Sequence, residues 1–240
     1  MKTIALLGSG EFEPWARAVD GWSVDRSSVD SKRVLVVQAA SAPEGEATFQ
    51  RWARMGVEHY RALGLEPEVL PLRTRDDACD DAIVERVAGA RLIFFSGGNP
   101  GYLSEICIGS PFWDAVVESL DGGTALGGCS AGASFLGART PFVANDSLDH
   151  WTGGTRLLPR AFIVPHFDAL ESYQPGLRAL FIDAAPEGTI PIGIDETTAM
   201  HGDGSTWSVT GSGAVWFPRD GDLTPHRDGE TFALELGATR

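Results

Sequence analysis

Five short runs rich in apolar residues punctuate the first half of the chain, at residues 3–7, 34–37, 68–72, 91–95 and 124–127. Runs this short and this continuously apolar predict strands in a sheet covered on both faces. The intervening segments carry helical signals. Residues 46–63 form a helical stretch closed by Gly64, and residues 76–88 open with Asp76 and Asp77, which complement a helix dipole. Residues 103–108 and 112–120 read as two helical pieces separated by Gly109 and Pro111. Strands alternating with helices predict a parallel sheet with right-handed crossovers, whose carboxyl-end loops share one ligand-binding edge.

The second half is less regular. Residues 141–158 read as loop. Residues 161–164 predict a strand ending at Pro165-His166-Phe167-Asp168, residues 175–184 a helix, and residues 190–194 a strand ending at Asp195-Glu196. From residue 205 onward, short runs separated by Gly211-Ser212-Gly213 and Arg219-Asp220-Gly221-Asp222 predict antiparallel strands packed on the sheet edge. No proline- or serine-rich linker divides the chain, so residues 1–240 are expected to form a single domain.

Composition narrows the functions open to such a fold. The chain has 240 residues, 43% hydrophobic and 22% charged, with a net charge of -14. So acidic a chain lacks the concentrated Lys and Arg that nucleic acid or an anionic membrane surface requires. Cys79, Cys107 and Cys129 have no paired spacing, which predicts neither a disulfide framework nor a zinc site and suits a reducing compartment. The apolar run after Met1-Lys2-Thr3 is too short for a signal peptide, and no run is long enough to span a membrane, so the expected location is the cytoplasm.

The densest chemical signal is residues 124–134, where Gly128-Cys129-Ser130-Ala131-Gly132 spells G-x-S-x-G after a predicted strand. In that pattern a sharp strand-to-helix turn pushes the serine hydroxyl out of the sheet, and the following N–H faces the same space. Cys129 is out of register for the role, because the residue two after it is Ala131, and it reads as a small buried residue. Gly8-x-Gly10 lacks the third glycine of a dinucleotide fingerprint and reads as a tight loop after the first strand.

A serine nucleophile needs a base within reach and an acid to orient that base. His166 ends a predicted strand on the same edge as Ser130, and His201 is the runner-up. His59 lies on a helix face, while His150 and His226 lie away from predicted strand ends. For the acid, Asp195 and Glu196 end a strand on that edge and Asp168 is the local competitor; order along the chain does not choose among them.

Four ordered segments, together with Gly8-Ser9-Gly10-Glu11 at the start, resemble peptidase family S51, which includes peptidase E and cyanophycinase. They are Ser96-Gly97-Gly98-Asn99, Gly128-Cys129-Ser130-Ala131-Gly132-Ala133, Pro165-His166-Phe167 and Gly193-Ile194-Asp195-Glu196-Thr197-Thr198-Ala199. The resemblance implies a flavodoxin-like, class I glutamine amidotransferase-like α/β fold, a mostly parallel sheet flanked by helices with antiparallel strands at its C-terminal end. It implies Ser130 as nucleophile, His166 as base and Glu196 as acid, the last matching cyanophycinase-like members; peptidase E-like members would point to Asp146 or Asp149 instead. The implied oxyanion hole is the N–H groups of Gly98 and Ala131, with Gly97 as the alternative to Gly98, and Gly97 and Asn99 help to place the substrate.

The implied activity is serine-type hydrolysis of short peptides, with Asp-Xaa dipeptides as candidates, needing neither metal nor cofactor. The expected partners are a small peptide substrate and, as a homodimer, a second copy of the chain. Ser96 replaces a glycine frequent in the family, and the stretch after His166 lacks the arginine-rich run of cyanophycinase-like sequences, which argues against a cyanophycin-type polymer. Two rival readings are an esterase or amidase on a small non-peptide substrate, and a catalytically silent binding protein on the same fold.

Overall fold

A computed structural model describes residues 2–144, 147–219 and 221–237. In chain order the first half comprises β1 (Thr3–Leu7), α1 (Arg17–Arg26), β2 (Arg33–Val37), α2 (Glu46–Ala62), β3 (Glu66–Val69), α3 (Asp81–Val84), β4 (Leu92–Phe95), α4 (Pro100–Cys107), α5 (Pro111–Asp121), β5 (Ala125–Cys129) and α6 (Ala131–Ser134). There follow β6 (Arg139–Ala144), β7 (Ser147–Gly153), β8 (Ala161–Val164), α7 (Leu170–Tyr173), α8 (Leu177–Asp183), β9 (Ile190–Ile194), β10 (Thr198–Gly202), β11 (Thr206–Gly211), β12 (Ala214–Arg219), β13 (Asp222–Arg227) and β14 (Thr231–Ala233).

The main sheet has eight strands in the order β14-β11-β10-β1-β5-β4-β2-β3. The five strands from β1 to β3 are parallel, while β10, β11 and β14 extend the sheet antiparallel from β1. Alternating side chains of the parallel strands serve two cores. Ile4, Leu6, Leu35, Ile93, Phe95 and Leu126 pack with Leu103, Phe112, Val116 and Leu120 of α4 and α5. Ala5, Leu7, Val34, Val36, Leu92 and Phe94 pack on the other face with Val19 of α1 and Tyr60 of α2. At about 25 cal/mol per Å² of apolar surface, burial on both faces is the main favourable term holding these short strands together.

Several expectations are corrected. The strands at 161–164 and 190–194 do not join the main sheet; they form a second, four-stranded sheet in the order β13-β12-β9-β8, with β8 parallel to β9. One face of this sheet, including Ile163, Ile192 and Val215, merges with the α4–α5 core, and the other packs Phe162 and Val164 against Leu177 and Phe181 of α8. A strand buried on both faces reads the same in either sheet, so the pattern predicted strands but not their membership.

The stretch expected to be loop at 141–158 contains the β6–β7 hairpin, in which Pro141 pairs with Trp151; a proline inside a run masks a strand. The helix α1 has no expected counterpart because its buried face carries Asp20 and Ser23 beside Val19, so no apolar stripe announces it. The stretch at 76–88 is broken into short 3-10 turns around α3, and residues 175–184 supply only α8 after the short α7.

Candidate active site

The elbow after β5 follows from local sterics. Ser130 has φ 51° and ψ -111°, outside the regions that L-residues prefer. A Cβ on Gly128 would lie 2.0 Å from the carbonyl oxygen of Gly132, and a Cβ on Gly132 would lie 2.1 Å from that of Phe95. Both glycines of the motif are therefore required for strand, turn and helix to approach this closely. The Ser130 N–H donates to the Leu7 carbonyl (3.0 Å), and the Ser130 carbonyl accepts from Ala133 and Ser134, which pins the strained residue between β1 and α6. Cys129 is fully buried, with burial pushing its thiol pKa well up, so it is no nucleophile.

The imidazole of His166 lies between Ser130 and Glu196. Its Nε2 is 2.9 Å from Ser130 Oγ and its Nδ1 is 2.8 Å from Glu196 Oε1. A carboxylate can only accept, so Nδ1 carries the proton and Nε2 is left to accept from the Ser130 hydroxyl. Geometry at the end of β8 aims the ring: His166 has φ 54°, and the N–H of Phe167 donates to the carbonyl of Ile194. Hydrogen bonding to His166 and to the Tyr173 hydroxyl (3.1 Å) outweighs desolvation and holds the Glu196 carboxyl below its ordinary pKa of 4.5.

The competing acids are engaged elsewhere. Asp195 is buried, and its two oxygens accept from the Ala214 N–H (2.8 Å) and the Trp216 indole N–H (2.9 Å). Asp168 accepts the backbone N–H of Glu196 (2.8 Å), anchoring that residue. Asp146 lies outside the described residues, and Asp149 falls in β7, where only the backbone is described.

The runner-up base, His201, bonds Thr210 through Nε2 (3.0 Å), and burial followed by the nearby Arg26 charge pushes its pKa down to about 4. His59 pairs with the buried Asp20 (2.7 Å), and His226 with Glu230 (3.1 Å).

The loop after β4 faces the elbow: a Cβ on Gly97 would lie 3.4 Å from Ser130 Cβ and 3.8 Å from Ser130 Oγ. The Ser96 N–H donates to the Val37 carbonyl, the Gly97 N–H to Glu11 Oε1 (2.8 Å) and the Asn99 N–H to the Ala40 carbonyl (2.8 Å). Of these four consecutive amides only that of Gly98 has no partner among the described residues. Gly98 has φ 138°, and a Cβ there would lie 2.4 Å from Ala40. The Gly97 N–H is thus already engaged by Glu11. Ala131, the first residue of α6, follows the elbow with one of the N–H groups that a helix start leaves without an intrahelical partner. Asn99 caps α4, its side-chain oxygen accepting from the Tyr102 N–H.

Three participants escaped the sequence reading: Glu11, Tyr173 and the anchoring role of Asp168. Nothing local to Glu11 marks its partner, which is 86 residues away. The Gly8 loop also gains a physical role. A Cβ on Gly8 would lie 2.1 Å from the Asp195 carbonyl oxygen, so this glycine lets the ends of β1 and β9 meet, bringing Glu196 to the rim. Among the described residues no group of three or more His, Cys, Asp or Glu is placed to hold a metal ion, and no helix is long and apolar enough to cross a membrane.

The architecture is a flavodoxin-like, class I glutamine amidotransferase-like α/β fold with a serine at its strand-to-helix elbow. The chain belongs to peptidase family S51, whose model matches residues 4–210, and is accordingly a peptidase. A peptidase from an acI-B1 actinobacterium has a similar crystal structure, at 30% identity and a TM-score of 0.88, over 98% of this chain and 97% of that one. A putative peptidase E protein from Listeria monocytogenes EGD-e shares the fold at 18% identity and a TM-score of 0.59, over 95% of this chain and 98% of that one. No curated protein sequence matches the chain.

Proposed function

We propose that the protein is a serine-type peptidase that cleaves short peptides through an acyl-enzyme, with Asp-Xaa dipeptides first among its candidate substrates. The observation that carries this reading is the placement of the His166 ring, 2.9 Å from Ser130 Oγ and 2.8 Å from Glu196 Oε1. Ser130 Oγ attacks the peptide carbonyl while its proton passes to His166 Nε2. The resulting oxyanion is held by the N–H groups of Gly98 and Ala131, a contribution commonly worth about 3 kcal/mol per donor. The imidazolium, oriented by Glu196, gives its proton to the departing amine, and the C–N bond breaks. Water then attacks the ester, again through His166, and releases the acid and free Ser130. The three free cysteines fit a reducing compartment and hence a cytoplasmic location.

The test is hydrolysis of a panel of aspartyl and other short peptides by wild type, Ser130→Ala and Glu196→Gln. Ser130→Ala is expected to lower kcat by about 10⁴-fold or more and Glu196→Gln by about 10²–10⁴-fold. Undiminished hydrolysis by Ser130→Ala would rule the reading out.

A further inference from the structure

The loop at residues 96–99 does not hold its shape through backbone contacts alone; one buried side chain ties it down. Glu11 is only 4% exposed, yet it lies in the loop after β1, far in sequence from either half of the site. Its Oε1 accepts the Gly97 N–H at 2.8 Å. A single carboxyl group therefore ties the loop after β1 to the loop after β4.

The consequence follows from the amide pattern. With the Ser96 and Asn99 N–H groups bonded to Val37 and Ala40, and that of Gly97 bonded to Glu11, the peptides before and after the one that carries the Gly98 N–H are held. Gly97 is also the residue facing Ser130. If its N–H lost its acceptor, the buried group would turn to find another, since an unsatisfied buried N–H is costly. The nearest change open to it is rotation of the peptide between Ser96 and Gly97, which removes one of the two fixed neighbours of the peptide that carries the Gly98 N–H.

We propose that Glu11 is a positioning residue for the oxyanion hole: by accepting the Gly97 N–H it aims the Gly98 N–H at the oxygen that becomes charged in the transition state. It touches no substrate and moves no proton. This inference rests on the serine-peptidase reading of the site, and its chemical requirement is one hydrogen-bond acceptor at the Oε1 position.

That requirement defines the experiment. Glu11→Gln keeps an acceptor oxygen at the same reach, Glu11→Leu removes it at similar volume, and Glu11→Asp withdraws it by one methylene. Each is compared with wild type for kcat and KM on the best peptide substrate, for the rate of labelling by a fluorophosphonate, and for Tm. Labelling depends on the oxyanion hole without depending on which peptide is accepted.

Glu11→Gln is expected within about threefold of wild type, and Glu11→Leu to lose about 10²-fold in kcat and in labelling rate with KM changed severalfold at most. Should Glu11→Leu fail to fold, Glu11→Asp must show a loss that Glu11→Gln does not. A folded Glu11→Leu with wild-type kcat overturns the inference, as do equal losses in the Gln variant and the Leu or Asp variant. An active wild type with indifferent variants sinks this inference alone, whereas a wild type that neither cleaves nor labels sinks the peptidase reading and this inference together.

Discussion

Three carboxylates crowd the rim beside His166, and their hydrogen bonds divide the work among them. Asp195 is locked by β12 through both oxygens, Asp168 holds the backbone of Glu196, and Glu196 alone presents an oxygen to the imidazole. Their titration follows from these settings. Desolvation raises the pKa of Asp195, while hydrogen bonding to His166 lowers that of Glu196.

A histidine away from this rim contributes to the response to acid. His201, 6% exposed and packed against Trp22, has a pKa lowered to about 4 from 6.5. Because the unfolded chain takes up this proton first, the contribution is intact above pH 6.5 and is lost as pH falls from 6.5 toward 4. His201→Gln, which can still bond Thr210, is expected to lose about 2–3 kcal/mol less stability than wild type between about pH 7 and about pH 4.5. Urea melts at the two pH values check this, and parallel losses in the two proteins would contradict it.

At the scale of elements, the site depends on the ends of β8 and β9 arriving together. Gly193 of β9 pairs with Val164 of β8, and a Cβ on it would lie 2.4 Å from the ring of Phe167, the residue after His166. Gly193→Ala must push that ring and with it His166. The expected outcome is labelling of Ser130 slowed by about tenfold or more, with the circular dichroism of the native fold retained. A folded alanine variant that labels at the wild-type rate would show that Phe167 does not steer His166.

The elbow could be read from the sequence because its constraints are local: Gly128 and Gly132 clear the path of atoms within a few residues of Ser130 or in the adjoining strand. His166 and Glu196 could be read as strand ends. The choice of Glu196 over Asp195 needed the resemblance, because only the structure reveals that Trp216 and Ala214 claim Asp195. Helix α1 stayed hidden because its inward face is partly polar, with Asp20 bonded to His59 and Tyr60 across 39 and 40 residues.

For the molecule as a whole, two sheets bring distant segments to one place. The main sheet supplies the Gly97-Gly98 loop and Ser130 from the carboxyl ends of β4 and β5, and the second sheet supplies His166 and Glu196 from the ends of β8 and β9. Gly8, at the end of β1, is one of the places where they meet. The parallel half of the main sheet was predictable from strand–helix alternation, whereas the second sheet was not, since pairing partners leave no trace in a run of buried residues. Glu11 shows the same limit at the site itself.

The most direct measurement is the mass-spectrometric mapping of a fluorophosphonate adduct on the intact wild-type protein and on His166→Ala. The account predicts a single adduct on Ser130 in the wild type, formed at least about 10²-fold more slowly in the variant. A wild-type protein left unmodified, or one labelled at the same rate without the imidazole, would contradict it.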